Sequence, residues 1–219
     1  LKIGNNIQDK KIYFDNSIED LIKFKFLEID KTNKIISIKK GKWLIEKDII
    51  IPKNYELHVD SGTIFDLVNY SAIVSYSPVF FNGEMGKSIL VKSSDKTGQG
   101  LVVLNTNDKQ SIINYTTFKN LDCLNNSKKF LNITGAITFY KSPVKITNSK
   151  FLKNYSEDFL NIIDTQFELE NIFVDSSYSD AIDIDFGNGH LNKIEIINSL
   201  NDAIDFSGSN ARLHNIKIN

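Results

Sequence analysis

Over the last third of the chain, apolar and polar residues alternate in short runs that recur at a fixed interval. The segments SEDFLNII from Ser156, SDAIDIDF from Ser179 and NDAIDFSG from Asn201 fall into register on Asp158, Asp180 and Asp202, at a step of 22 residues. The same step carries Leu160 to Ile182 to Ile204, Ile162 to Ile184 to Phe206, and Leu169 to Leu191 to Leu213. It also carries Ile172 to Ile194 to Ile216 and Val174 to Ile196 to Ile218, so each repeat has three apolar stations. Within a repeat, Ile182-Asp183-Ile184-Asp185-Phe186 and Ile194-Glu195-Ile196 show the two-residue period of a strand with one buried face.

Three short strands in about 22 residues leave no room for a crossover helix, so neighbouring repeats must stack directly. The predicted fold is therefore all-β: a right-handed, single-stranded parallel β-helix with three strands per coil. Its coils would stack about 4.8 Å apart, with aliphatic ladders inside and polar residues outside. A leucine-rich repeat is the rival, but that pattern needs one strand and a helical return per repeat. Here β-branched alternation recurs at three places per repeat.

Upstream the repeat loosens. Val144, Ile146, Asn148 and Phe151 match Phe167, Leu169, Asn171 and Val174 at a step of 23. Ile112, Asn114 and Phe118 suggest one more coil, with 121–134 as an inserted loop. Short strands broken by turn residues are expected at Trp43-Leu44-Ile45, Ile49-Ile50-Ile51, Leu57-His58-Val59 and Gly62-Thr63-Ile64-Phe65. Residues 1–42 read as a leading segment or cap and 43–219 as the β-helix. Ser17-Ile18-Glu19-Asp20 resembles a helix capping box, and a short amphipathic helix with Leu21, Ile22 and Leu27 would cover the open apolar end. The alternation of Phe24 and Phe26 weighs against that helix. The sequence opens without Met and stops inside a repeat, which reads as a piece of something longer, with Ile216 and Ile218 on an exposed final strand.

Composition changes this picture little. At 219 residues, 41% hydrophobic and 24% charged, the chain can bury a sizeable core. A net charge of −1 gives no global field toward nucleic acid or an anionic membrane surface. There is no run of about 18 apolar residues to span a membrane and no signal peptide at the start. The single cysteine, Cys123, rules out an intramolecular disulfide framework and reads as a small buried hydrophobe.

Charge distribution changes it more. Residues 1–55 carry twelve lysines against eight acids, whereas Glu157–Asp205 carries twelve carboxylates against one lysine, Lys193. If Ile182, Ile184, Ile204 and Phe206 point inward, then Asp183, Asp185 and Asp205 point outward on one sheet face, with Asn161 one coil below Asp183. Carboxylates one strand spacing apart repel unless a cation, a donor or a proton intervenes. Asp183, Asp185, Asp205 and Asn161 are thus the candidate ligands of a hard cation such as Ca²⁺, and a solvated acidic face is the alternative. No organic cofactor is expected. Asp158, Asp180 and Asp202 precede their strands and read as structural Asx-type turn residues. No two of the three histidines have metal-ligand spacing.

The segments SDAIDIDFGNG, NDAIDFSGSN, GAITFYKSPVKITNSKF and SEDFLNII resemble the β-helix of large bacterial surface or secreted proteins within the pectin-lyase-like superfamily, some of which also carry a spore-coat-H-like kinase domain. IIIPKNYELHVDSGT and GQGLVVL extend the resemblance upstream. It implies a secreted or cell-surface location and the company of further domains. The polysaccharide hydrolases and lyases of that superfamily are matched less well: Gly189-His190 is followed by Leu191 where a second glycine is wanted, and Arg212 is the only arginine. The expected function is a non-catalytic extracellular module that meets polysaccharide or cell-surface glycan through its acidic face. The alternative is a polysaccharide hydrolase or lyase using Asp183 and Asp205 as acid and base on adjacent coils.

Overall fold

The computed structural model describes residues 18–106, 108–124 and 133–219. The described residues are 59% strand and 2% helix, wound as a parallel β-solenoid of about eight turns. Once per turn it contributes to a seven-stranded sheet: β4 (Ile49–Ile51), β7 (Ile73–Ser75), β10 (Leu101–Leu104), β13 (Gly135–Tyr140), β15 (Asp158–Ile163), β17 (Asp180–Asp185) and β19 (Ile204–Ser207). The rest of each turn belongs to a thirteen-stranded sheet. In the early turns this sheet has two arms. One runs through β2 (Ile35–Ile38), β5 (Glu56–Asp60), β8 (Val79–Asn82) and β11 (Ser111–Asn114). The other runs through β3 (Lys42–Ile45), β6 (Ile64–Leu67), β9 (Ile89–Lys92) and β12 (Thr116–Leu121). From β14 (Val144–Asn154) onward one bent strand serves both arms, continuing as β16 (Gln166–Asp175), β18 (Asn188–Ile197) and β20 (Asn210–Ile218). The four strands expected between Trp43 and Phe65 are β3, β4, β5 and β6.

The predicted register is observed. Leu160, Ile182 and Ile204 are successive partners, as are Ile162, Ile184 and Phe206. Val144, Ile146 and Phe151 pair with Phe167, Leu169 and Val174. Ile182 and Ile184 are fully buried. Ile204 and Phe206, on the last strand of the seven-stranded sheet, are half-buried, and Leu213 and Ile218 on β20 are exposed. The extra coil suggested upstream exists, with Phe118 on Phe151, but Ile113 takes the inward station and Ile112 faces out. Most of the loop expected over 121–134 lies outside the described residues; of its flanks, Leu124 and Ile133 are buried and Cys123 is only half-buried.

The bend between the two arms is made by residues with a left-handed backbone. Tyr115, Asn148, Asn171, Lys193 and Asn215 occupy it on successive coils, with φ between 42° and 55°. Asparagine tolerates this region better than most residues. Its amides also stack: Asn171 Nδ2 donates to Asn148 Oδ1 at 2.8 Å, and Asn148 Nδ2 to Asn114 Oδ1 at 3.0 Å. Asn148→Val should lose both the backbone tolerance and two ladder bonds, lowering stability by about 1–2 kcal/mol in denaturant melts. Asn148→Gly, which keeps the backbone freedom, should lose less.

At the N-terminal end the expected helix is a single turn, α1 (Ile18–Leu21), and Ser17 of the capping box lies outside the described residues. Leu21 is buried, but Ile22 is exposed and Leu27 opens a strand, β1 (Leu27–Asp30), antiparallel to β2. Between α1 and β1 the chain runs through two turns, with Phe24 N–H on the Leu21 carbonyl and Leu27 N–H on the Phe24 carbonyl, and the Phe24 and Phe26 rings pack 5.3 Å apart with Trp43 beside Phe26. Among the described residues no helix is long and apolar enough to cross a membrane.

Candidate functional site

The outward face of the seven-stranded sheet changes chemistry along the solenoid. One column of partners runs Ile50, Val74, Val102, Thr138, Asn161, Asp183 and Asp205. Its first half is covered: Ile50, Ala72, Val74, Val102, Leu104, Leu124 and Ile133 form a second apolar cluster. That explains why β4, β7 and β10 are buried at every position, since a strand covered on both faces does not alternate. Its second half is acidic.

Asn161, Asp183, Asp185 and Asp205 share this face as expected, with Asp183 between Asn161 and Asp205. The Asn161 Nδ2 donates to Asp183 Oδ2 at 2.6 Å. Burial pushes the Asp183 carboxyl up to about 7, and the charges of Asp158, Asp185, Asp205 and Asp180 add to the shift. Asp158 on β15 is almost fully buried and is pushed up to about 6, again chiefly by burial. Asp185 is raised by burial and by Asp205. Two buried oxygens here, Asn161 Oδ1 and Asp183 Oδ1, have no hydrogen-bond partner.

Sequence reasoning placed Asp180 and Asp202 outside the site, as turn residues. Asp180 does fill that role: its Oδ1 accepts the Asp202 backbone N–H at 3.0 Å and the Asn201 amide at 2.8 Å, tying one coil to the next. Yet Asp180, Asp202 and Asp205 also bring carboxylate oxygens within 4.8 Å of one another. The 22-residue step was the available signal, since it sets Asp180 and Asp202 at the same point of adjacent coils.

Phe186 departs from the expected alternation. Instead of pointing inward after Ile184, it takes φ 54° and is 67% exposed. The interior is already filled there: a Cβ on Gly187 would lie 3.0 Å from the Phe167 ring, and one on Gly189 only 2.0 Å from the Phe167 carbonyl. The displaced ring lies instead over Gly208, where a Cβ would meet it at 2.8 Å. Tyr178, two residues before β17, is 61% exposed, so the Asp180–Asp185 strand is bracketed by two exposed aromatics. Leu200 is exposed in the turn before β19.

The histidines take no part in this face: His58 stacks on Phe80 and meets Glu56, while His190 and His214 are exposed, as is Arg212. Comparison with family models, with curated proteins and with solved structures finds no match.

Proposed function

We propose that this solenoid is a glycan-binding module, with the outer face of β15, β17 and β19 as its binding surface. The observation that carries the reading is the strip Asp180, Asp183, Asp185 and Asp205 set between the exposed rings of Tyr178 and Phe186. Carboxylates accept hydrogen bonds from sugar hydroxyls, and aromatic faces cover the apolar face of a sugar ring. A strip this acidic disfavours polyuronates unless a cation intervenes, so a neutral, hydroxyl-rich glycan is the expected ligand. The resemblance of the DAIDIDF and DAIDFSG segments supports a secreted or surface setting beside further domains.

Calorimetry against neutral and anionic polysaccharides tests this. Tyr178→Ala and Phe186→Ala should each weaken binding about tenfold, or about 1.4 kcal/mol. If both variants bind as the unaltered chain does, the surface is elsewhere.

One observation favours catalysis as a second reading: Asp183 keeps its proton to about pH 7 beside Asp205 on the next strand, as a general acid and its partner carboxylate require. Release of new reducing ends that stops in Asp183→Asn would favour the hydrolase over the module.

A further inference from the structure

The two unpartnered oxygens between β15 and β17 pose a problem of donors. Asn161 is 1% exposed, and its amide nitrogen is engaged by Asp183, so its carbonyl oxygen and the second Asp183 oxygen need partners from elsewhere. A buried polar atom without a partner is destabilising, and its usual explanation is a water or an ion. The groups whose charge acts on Asp183 are Asp158, Asp180, Asp185 and Asp205, and ionised carboxylates accept hydrogen bonds without donating any. With Asp183 ionised, as it must be to hold a cation, neither oxygen finds a donor among these groups, so the partner comes from outside the chain, and among this many carboxylates a cation serves better than a water.

We propose that this face binds one hard divalent cation of the Ca²⁺ class, with Asn161 and Asp183 as its buried oxygen ligands and Asp180, Asp202 and Asp205 closing the shell from the solvent side. Carboxylate oxygens of the outer three within 4.8 Å of one another fit a single ion at about 2.3–2.6 Å from each ligand. Asp180 keeps Oδ2 for this, because its hydrogen bonds from Asn201 and Asp202 fall on Oδ1. The ligand set is all oxygen, mixes amide and carboxylate and comes from three successive coils, which suits the adaptable coordination of Ca²⁺ better than the strict octahedron of Mg²⁺. The proposal shares a face with the glycan reading but does not depend on it.

The test uses the full chain and metal alone. Calorimetry and thermal melts with CaCl₂, against MgCl₂ and a chelator, should show saturable Ca²⁺ binding, a melting temperature raised by a few degrees, and a weaker response to Mg²⁺. Asp202→Asn and Asp205→Asn, at an exposed and a half-buried position of the last coil, should each weaken Ca²⁺ at least tenfold without unfolding the chain. Asn161→Leu should abolish binding. Glu195→Gln, on the other sheet, should leave it unchanged. No saturable Ca²⁺ response in the unaltered chain, or a wild-type response in both Asp202→Asn and Asp205→Asn, overturns the proposal. Neither result touches the glycan reading, which Tyr178→Ala and Phe186→Ala test separately.

Discussion

Replacing Phe151 with alanine is expected to destabilise the solenoid by about 3–5 kcal/mol, the usual range for emptying a fully buried phenylalanine site. Phe151 is buried in the middle of the stack. It lies on Phe118 of the coil below with ring centroids 5.2 Å apart, meets Phe159 edge-on at 5.4 Å, and pairs with Val174 of the coil above. Truncation removes contacts to three neighbours that belong to different strands, and parallel ladders hydrogen-bonded on both sides cannot collapse to fill the space. For a domain of this size the loss corresponds to a melting temperature roughly 10–15 °C lower, readable by circular dichroism. Because each coil touches only its neighbours, the same cavity should also broaden the transition as the two halves of the stack lose coupling. Phe151→Leu, which keeps most of the volume, should lose much less. A loss below about 1 kcal/mol for the alanine variant would show that this layer is not packed as described.

The inward stations were legible because stacking demands them. A coil that repeats every 22 residues must present the same face at the same step, so Leu160, Ile182 and Ile204 could be aligned from the sequence alone. Insertions hid the earlier coils. Leu101 pairs with Ile137, 36 residues on, and Phe118 with Phe151, 33 residues on, so self-similarity at a fixed step fades although the same ladder continues. The acidic face was legible in part. Alternation placed Asn161, Asp183 and Asp205 in one column, but it could not show that Asp180 serves two roles, because a residue at the mouth of a strand is free to lean along the face. Nor could alternation find Phe186. Its outward turn follows from the Phe167 ring lying beneath Gly187 and Gly189, a contact between coils that no local pattern records.

In the presence of a chelator the protein should be more stable at pH 5 than at pH 8, a window over which an ordinary surface carboxylate gives no slope. In the folded chain Asp183 is pushed up to about 7 and Asp158 to about 6, from the usual 3.8. Between about pH 4 and those values the folded state holds protons that the unfolded state has released, so stability falls as pH rises. The contribution is complete below the unfolded value and is lost through about 6 and about 7. Carboxylates held low, such as Asp95 at about 2 with its bonds from Asn69 and Thr97, act only in acid and stay constant over this window. At about 1.4 kcal/mol per pH unit the two raised groups could amount to several kcal/mol, but Asp183 is only partly buried and solvent screens it. We therefore expect about 2 kcal/mol between pH 5 and 8, or a melting temperature about 4–8 °C lower at the higher pH. Asp183→Asn should raise stability at pH 8 and flatten most of the profile, because the amide stays neutral and still accepts from Asn161. If the slope survives in that variant, Asp158 and Asp185, which is also raised, carry it, and Asp158→Asn should then remove part of it; a flat profile in the unaltered chain would mean that these carboxyls are ionised throughout.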